Sequence, residues 1–252
     1  MNDGYLTRFA GIARLYGIDN LKRLAGTRVW LVGVGGVGSW TCEALARSGL
    51  GNLRLIDVDC VCETNVNRQL CALSSTLGKE KVVVLAERSR EINPWANIET
   101  RVMFVDKTTA GTLFADEKPD LVVDAIDGVV NKAALIAACK TAGVPVVSSG
   151  GCAGKRDGLR VEFGDLSVVE NDNLLKFVRK TLRSEYGFSK AGTSMGVPCV
   201  FSREQSKMLE EKGVPEIISP AGGKPRAGTA AWITGAFGLA LAQLAISKLI
   251  EN

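Results

Sequence analysis

Four apolar residues at 29–32 run without a break into GVGGVGSW, and this junction constrains the chain more than any other feature. Gly33, Gly35 and Gly38 fit G-x-G-x-x-G between an apolar strand and a helix, the context in which that spacing carries meaning. Missing side chains let backbone N–H groups approach phosphates, and a helix N-terminus adds partial positive charge. Asp57 stands 19 residues beyond Gly38, near the end of the next apolar run at 53–58, where a carboxylate can bind ribose hydroxyls. Together these signals call for a strand–helix–strand nucleotide-binding unit. A nicotinamide dinucleotide or ATP would satisfy it equally.

The rest of the chain alternates. Residues 1–26 read as a short helical segment with Leu15, Leu21 and Leu24 spaced to face a core. Helical spacing holds over 39–48, stopping at Gly49, and over 79–92, stopping before Pro94. Strand-like runs recur at 98–105, 121–126 and 144–148, with a helix at 131–142 between the last two. Strands alternating with helices give an α/β fold with a doubly wound, mostly parallel Rossmann-like sheet. Past residue 150 the pattern changes. Gly150 and Gly151 open a loop, 159–163 reads as a short strand and 168–186 as an amphipathic helix. The Gly-, Ser-, Pro- and Lys-rich span 187–226 reads as a long mobile segment.

The 252 residues include no histidine. Ser-His, Cys-His and His-zinc mechanisms are therefore excluded, and proton transfer falls to Asp, Glu, Lys, Tyr or the substrate. Cysteines at 42, 60, 62, 71, 139, 152 and 199 form no C-x-x-C pair, which excludes a paired zinc site. They read as reduced, mostly buried thiols of a cytoplasmic protein, and the N-terminus MNDGYLTRFAG has no apolar signal core. A net charge of +4 permits a nucleic-acid substrate without arguing for one.

The segment DVDCVCETNVNRQL supplies Asp57, Asp59, Asn65, Arg68 and Gln69, followed by Lys81 and by Asp124 and Asp127 in DAIDG. In a doubly wound sheet the C-terminal strand ends face one crevice. Arg68 and Lys81 would bring positive charge toward a triphosphate, and Asp127 could hold Mg²⁺, with Asp59 as a second candidate. Each residue alone reads as a surface charge. Their conjunction points to ATP, since a nicotinamide enzyme needs neither the cations nor a metal carboxylate.

The strings GVGGVGSW, LIDVD, TNVNRQ, the lysine of GKEK and DAID together resemble the ubiquitin-activating-enzyme superfamily, whose bacterial members include the ThiF, MoeB and HesA proteins, over roughly residues 8–165. The resemblance implies ATP use and carboxylate adenylation. On matching positions it puts Gly33, Gly35, Gly36 and Gly38 at the phosphates and Asp57 on the ribose. Asn65, Arg68, Gln69 and Lys81 follow the phosphate path, with Asp59 in the ATP-binding set and Asp127 at the metal. Arg68, Lys81 and Asp127 form the catalytic set. It also implies a homodimer in which each subunit lends an arginine to the other. The usual Y-x-R-Q spelling is missing here, and Arg14 is the candidate, with Arg8 behind it. The whole chain, 1–252, then reads as one adenylating domain: a nucleotide-binding core at 27–150 and a substrate-side, dimer-forming extension with a C-terminal helix at 151–252.

Within that superfamily, RFAGIARLYG, ALARSGLGNLRLIDVDCVCETNVNRQ and CVFSRE at 199–204 are similar to the bacterial threonylcarbamoyladenosine dehydratases that modify tRNA. This closer resemblance implies adenylation of the threonine carboxylate of that modified adenosine. Ring closure follows, releasing AMP and pyrophosphate with net loss of water. Two alternatives stand beside it. The first is adenylation of the C-terminal glycine of a ubiquitin-like sulfur-carrier protein, with sulfur-transfer proteins as partners. ThiF- and MoeB-like proteins usually carry C-x-x-C pairs, and this chain has neither those nor any cysteine after Ser219. The second is a nicotinamide-dependent oxidoreductase.

Two further stretches call for a reading. In NDNLLKFVRKTLRSEYG, Leu174, Leu175, Val178 and Leu182 share one helix face and Lys176, Arg179, Lys180 and Arg183 another, a candidate tRNA-phosphate contact or a merely solvated face. The uncharged 21 residues from Ala227 to Ser247 are long enough to span a membrane but rich in Gly, Ala, Ser and Thr. They read as a core or dimer-interface helix rather than a stable membrane span.

Overall fold

Strands buried on both faces need near-continuous apolar sequence. β1 (Arg28–Val32) has it, and all but its first residue is buried. The computed structural model, which describes residues 2–190, 192–207 and 227–250, pairs β1 in parallel with β2 (Asn52–Asp57) and β4 (Leu121–Asp124). β3 (Asn97–Val102) adds beyond β2, and β5 (Val146–Ser149) beyond β4. β7 (Pro198–Ser202) continues the parallel set, and β6 (Val161–Asp165) closes the edge antiparallel to it. The order is β3-β2-β1-β4-β5-β7-β6, so one sheet runs through residues on both sides of position 150.

The N-terminal helices α1 (Asp3–Arg8), α2 (Ala10–Tyr16) and α3 (Ile18–Gly26) precede the sheet. α4 (Gly36–Arg47), α5 (Lys81–Ile92) and α8 (Ala231–Ile250) cover one face through Leu45, Leu85, Phe237 and Leu241. α6 (Val129–Ala142) and α7 (Asn173–Glu185) cover the other through Leu135, Ile136, Val178 and Leu182. Burying one such side chain contributes about 1.5–3 kcal/mol, so the two layers account for much of the core.

Three expectations change. Leu21 and Leu24 are buried, but Leu15 is 70% exposed because α2 ends at Tyr16 and Gly17 turns the chain before α3. The span 187–226, expected to be a mobile segment, contains β7, whose buried Cys199 and Val200 pair on both sides; its residues 191 and 208–226 lie outside the described residues. The helix read at 168–186 begins only at Asn173, because Asp172 caps it with a hydrogen bond accepted from the Leu175 N–H.

The uncharged tail forms α8. It is long and apolar enough to cross a membrane, yet more than half of its most apolar window is buried. It lies so close to α4 that a Cβ on Gly238 would stand 2.5 Å from the Val37 carbonyl oxygen and 2.6 Å from Trp40 Cβ. The small residues therefore serve close helix packing.

Candidate active site

The glycine loop divides its labour. Gly33 has φ +84°, and a Cβ there would stand 2.9 Å from the Ala125 carbonyl, so the loop rests on the chain leaving β4. Gly38 faces back, where a Cβ would come within 1.9 Å of the Gly33 oxygen. Gly35 opens α4 with no side-chain cap, leaving the first-turn amides of a twelve-residue helix for an anion. Asp57 locks the loop to the end of β2: one carboxylate oxygen accepts from Val34 N–H at 2.7 Å and the other from Asp59 N–H at 2.9 Å. Each oxygen keeps acceptor capacity for a ribose hydroxyl.

The segment at 64–69 folds over this loop. The buried Asn65 shapes it: its side-chain oxygen accepts from Cys62 N–H, and its carbonyl accepts from the amides of Arg68 and Gln69. The Arg68 carbonyl accepts from the Trp40 indole at 3.3 Å and the Thr234 hydroxyl at 2.9 Å, tying the segment to α4 and α8. A Cβ on Gly36 would lie 3.8 Å from Arg68 Cγ, and one on Gly35 3.7 Å from Gln69 Nε2. Both side chains thus border the anion site. The Arg68 guanidinium donates to the Thr64 carbonyl at 2.6 Å and to Asn67 Oδ1 at 3.0 Å.

Lys81, only 4% exposed, opens α5 and donates to Asp59 at 2.7 Å. Asp59 therefore engages the lysine directly. Asp127 is exposed just past β4, two residues beyond the backbone on which Gly33 rests. No cluster of three potential protein ligands for a metal exists among the described residues. A lone carboxylate still fits Mg²⁺, which is bound through one or two carboxylates together with substrate phosphates.

Asp124 was legible as a strand-end acid, but its partners Lys132 and Ser148 were not. Asp124, Lys132 and Ser148 form a fully buried cluster beneath Asp127. The available signal was a lysine directly before the apolar run 133–139 of α6. Cys152 lies within electrostatic reach of Arg68 and Asp127, and burial pushes its thiol pKa up, which keeps it protonated and a poor nucleophile.

The predicted accessory residues separate. Lys176 and Lys180 are exposed on α7, while Arg179 donates to the Leu166 and Val169 carbonyls and Arg183 to the Ser189 carbonyl. Asp172 also accepts from Gly151 N–H at 2.9 Å, which brings the N-terminus of α7, and Lys176 first among its cations, toward the crevice. Arg8 is committed within the same chain, to the Glu91 and Ile92 carbonyls and the Trp95 ring. Arg14 is exposed and makes no hydrogen bond or ion pair among the described residues.

Known proteins resemble this chain over nearly its whole length. The chain is 40% identical to the tRNA threonylcarbamoyladenosine dehydratase of Haemophilus influenzae, over 99% of this chain and 96% of that one. Structures of the tRNA N6-threonylcarbamoyladenosine dehydratase of E. coli in complex with ATP and with AMP superpose with TM-scores of 0.88 and 0.89, at 37% identity, over 99% of this chain and 96% of each. The ThiF family profile matches residues 8–251, and the chain belongs to the ThiF family.

Proposed function

We propose that this chain is an ATP-dependent adenylating enzyme that converts threonylcarbamoyladenosine in tRNA to its cyclic form. The observation that carries the reading is Arg68 and Gln69 lying over an uncapped helix N-terminus, with Lys81 and Asp127 at the neighbouring strand ends. Near full-length likeness to enzymes named for this dehydration supports the choice of substrate.

ATP lies with its phosphates on the amides of Gly35, Gly36 and Gly38 and its ribose on Asp57. The threonine carboxylate attacks the α-phosphorus and pyrophosphate leaves. Arg68 and Lys81 offset the charge that builds on the phosphoryl oxygens. Bound Mg²⁺, held by Asp127 and the phosphates, would share that load. An atom of the substrate's ureido group then attacks the acyl carbon, AMP departs with one carboxylate oxygen, and the attacking group loses a proton. The ring closes without a covalent enzyme intermediate, in keeping with the protonated Cys152. We assign Arg14 as the arginine that a homodimer lends to the opposite site, residues 151–252 to substrate and dimer contacts, and the enzyme to the cytoplasm.

Incubation with ATP, Mg²⁺ and tRNA carrying the modification tests the reading. Nucleoside mass spectrometry should show loss of one water, with AMP released. An unchanged nucleoside mass would sink the dehydratase assignment, and ATP–pyrophosphate exchange dependent on a carrier protein would favour the sulfur-carrier alternative.

Lys176 and Lys180 are the α7 cations free to meet tRNA. Reversing both charges should weaken tRNA binding and reduce the slope of log affinity against log salt by about two. Binding isotherms from low to moderate salt measure this; an unchanged slope would remove α7 from the interface.

A further inference from the structure

We propose that Lys132 is a positioning residue: with Asp124 and Ser148 it fixes the 125–128 turn and so aims Asp127 at the metal and phosphates, an inference that rests on the adenylation reading above.

Lys132 and Asp124 are both fully buried. The ammonium donates to Asp124 Oδ2 at 2.8 Å, Ser148 Oγ at 3.1 Å and the Asp124 carbonyl at 3.4 Å, which accounts for all three of its protons. The Asp124 carboxylate accepts in turn from the Ser148 hydroxyl at 2.7 Å and from Ile126 N–H at 3.0 Å. Asp124 ends β4, Ser148 is its register partner on β5, and Lys132 lies in the first turn of α6, its N–H on the Gly128 carbonyl. The cluster therefore closes a ring across the turn that carries Asp127.

Stability gives little reason for such a device. A buried ion pair is often no more stabilising than apolar side chains of similar volume, and Ala133, Leu135 and Ile136 already seal α6 to the sheet. Apolar packing lacks direction, however. The bond from Ile126 N–H to Asp124 sets the rotation of the Ala125–Ile126 peptide, the one before the peptide that carries Asp127 N–H. The same turn is the surface beneath the glycine loop, joined to it by Ala125 N–H on the Val32 carbonyl at 2.8 Å. Metal ligands whose directly bonded outer-shell partners are removed lose about 10–100-fold in metal affinity; Lys132 acts one step further out, through Asp124 and the Ile126 amide, so the lower end of that range is expected.

The test is calorimetric titration of the full-length protein with ATP, once in Mg²⁺ and once in EDTA. Lys132→Met should lose about tenfold or more of the gain in ATP affinity that Mg²⁺ confers, with a smaller change in EDTA. In an Asp127→Asn background the same substitution should remove no further gain. A Lys132→Met protein that keeps the full Mg²⁺ gain, or that loses equally without Asp127, overturns the proposal. Should Lys132→Met fail to fold, Ser148→Ala decides, since it leaves the Lys132–Asp124 pair in place: a reduced gain supports the proposal and an unchanged gain overturns it. Wild-type protein that binds ATP equally with and without Mg²⁺ overturns the positioning role alone. Wild-type protein that binds no ATP under either condition defeats the adenylation reading.

Discussion

Replacing Arg68 by alanine is expected to cut AMP formation by about a hundred- to a thousandfold, the range found when a donor aimed at developing charge is removed. Its main-chain carbonyl, not its side chain, anchors the 64–69 segment to Trp40 and Thr234, and an alanine keeps that carbonyl. The side chain gives up only its bonds to Thr64 and Asn67, at a cost of about 1 kcal/mol. The loss should therefore appear in turnover and hardly in thermal unfolding. Arg68→Lys should recover part of the rate, because an ammonium supplies charge without the planar fork that grips two phosphate oxygens. AMP release measured by chromatography with modified tRNA, alongside a melting curve, checks both. Turnover at the wild-type level in a folded Arg68→Ala protein would take the residue out of the mechanism.

The parts of this molecule legible in the sequence are those where local pattern and tertiary environment agree. β1 could be read because a strand covered on both faces must be apolar throughout, and because it runs directly into glycines whose spacing has few other uses. The site residues were legible as a conjunction; none of them is distinctive alone. β7 was hidden for the opposite reason. Its five residues stand in a Gly-, Ser- and Pro-rich surrounding, and only the open edges of β5 and β6 make it a strand. Leu15 failed because helical spacing was extended through Gly17, where the chain turns. The division of the α7 cations could not be read from spacing, since what commits Arg179 is the pair of carbonyls at Leu166 and Val169, supplied by the turn after β6. Lys132 is not legible because a lysine in a helix normally faces solvent, and only the carboxylate at the end of β4 makes its burial tolerable.

Glycines in one motif should fail in different ways when given a methyl group. At Gly38 the new Cβ would sit 1.9 Å from the Gly33 oxygen and 2.9 Å from its carbonyl carbon, both backbone atoms with no rotamer to yield. Gly33 cannot retreat, because it already rests on Ala125. Helix α4 must move off β1, so Gly38→Ala should lose about 3 kcal/mol or more of stability and nucleotide binding with it. At Gly35 the methyl would meet only Gln69 Nε2 at 3.7 Å, an ordinary contact, so Gly35→Ala should stay folded. It would intrude where the phosphates approach the amides, weakening ATP about tenfold or more. Denaturant melts and ATP titrations on the two variants separate these failures. Equal destabilisation of both would mean that the loop is only a tight turn, whereas a stable Gly35→Ala that still binds ATP at full strength would move the phosphates off the N-terminus of α4.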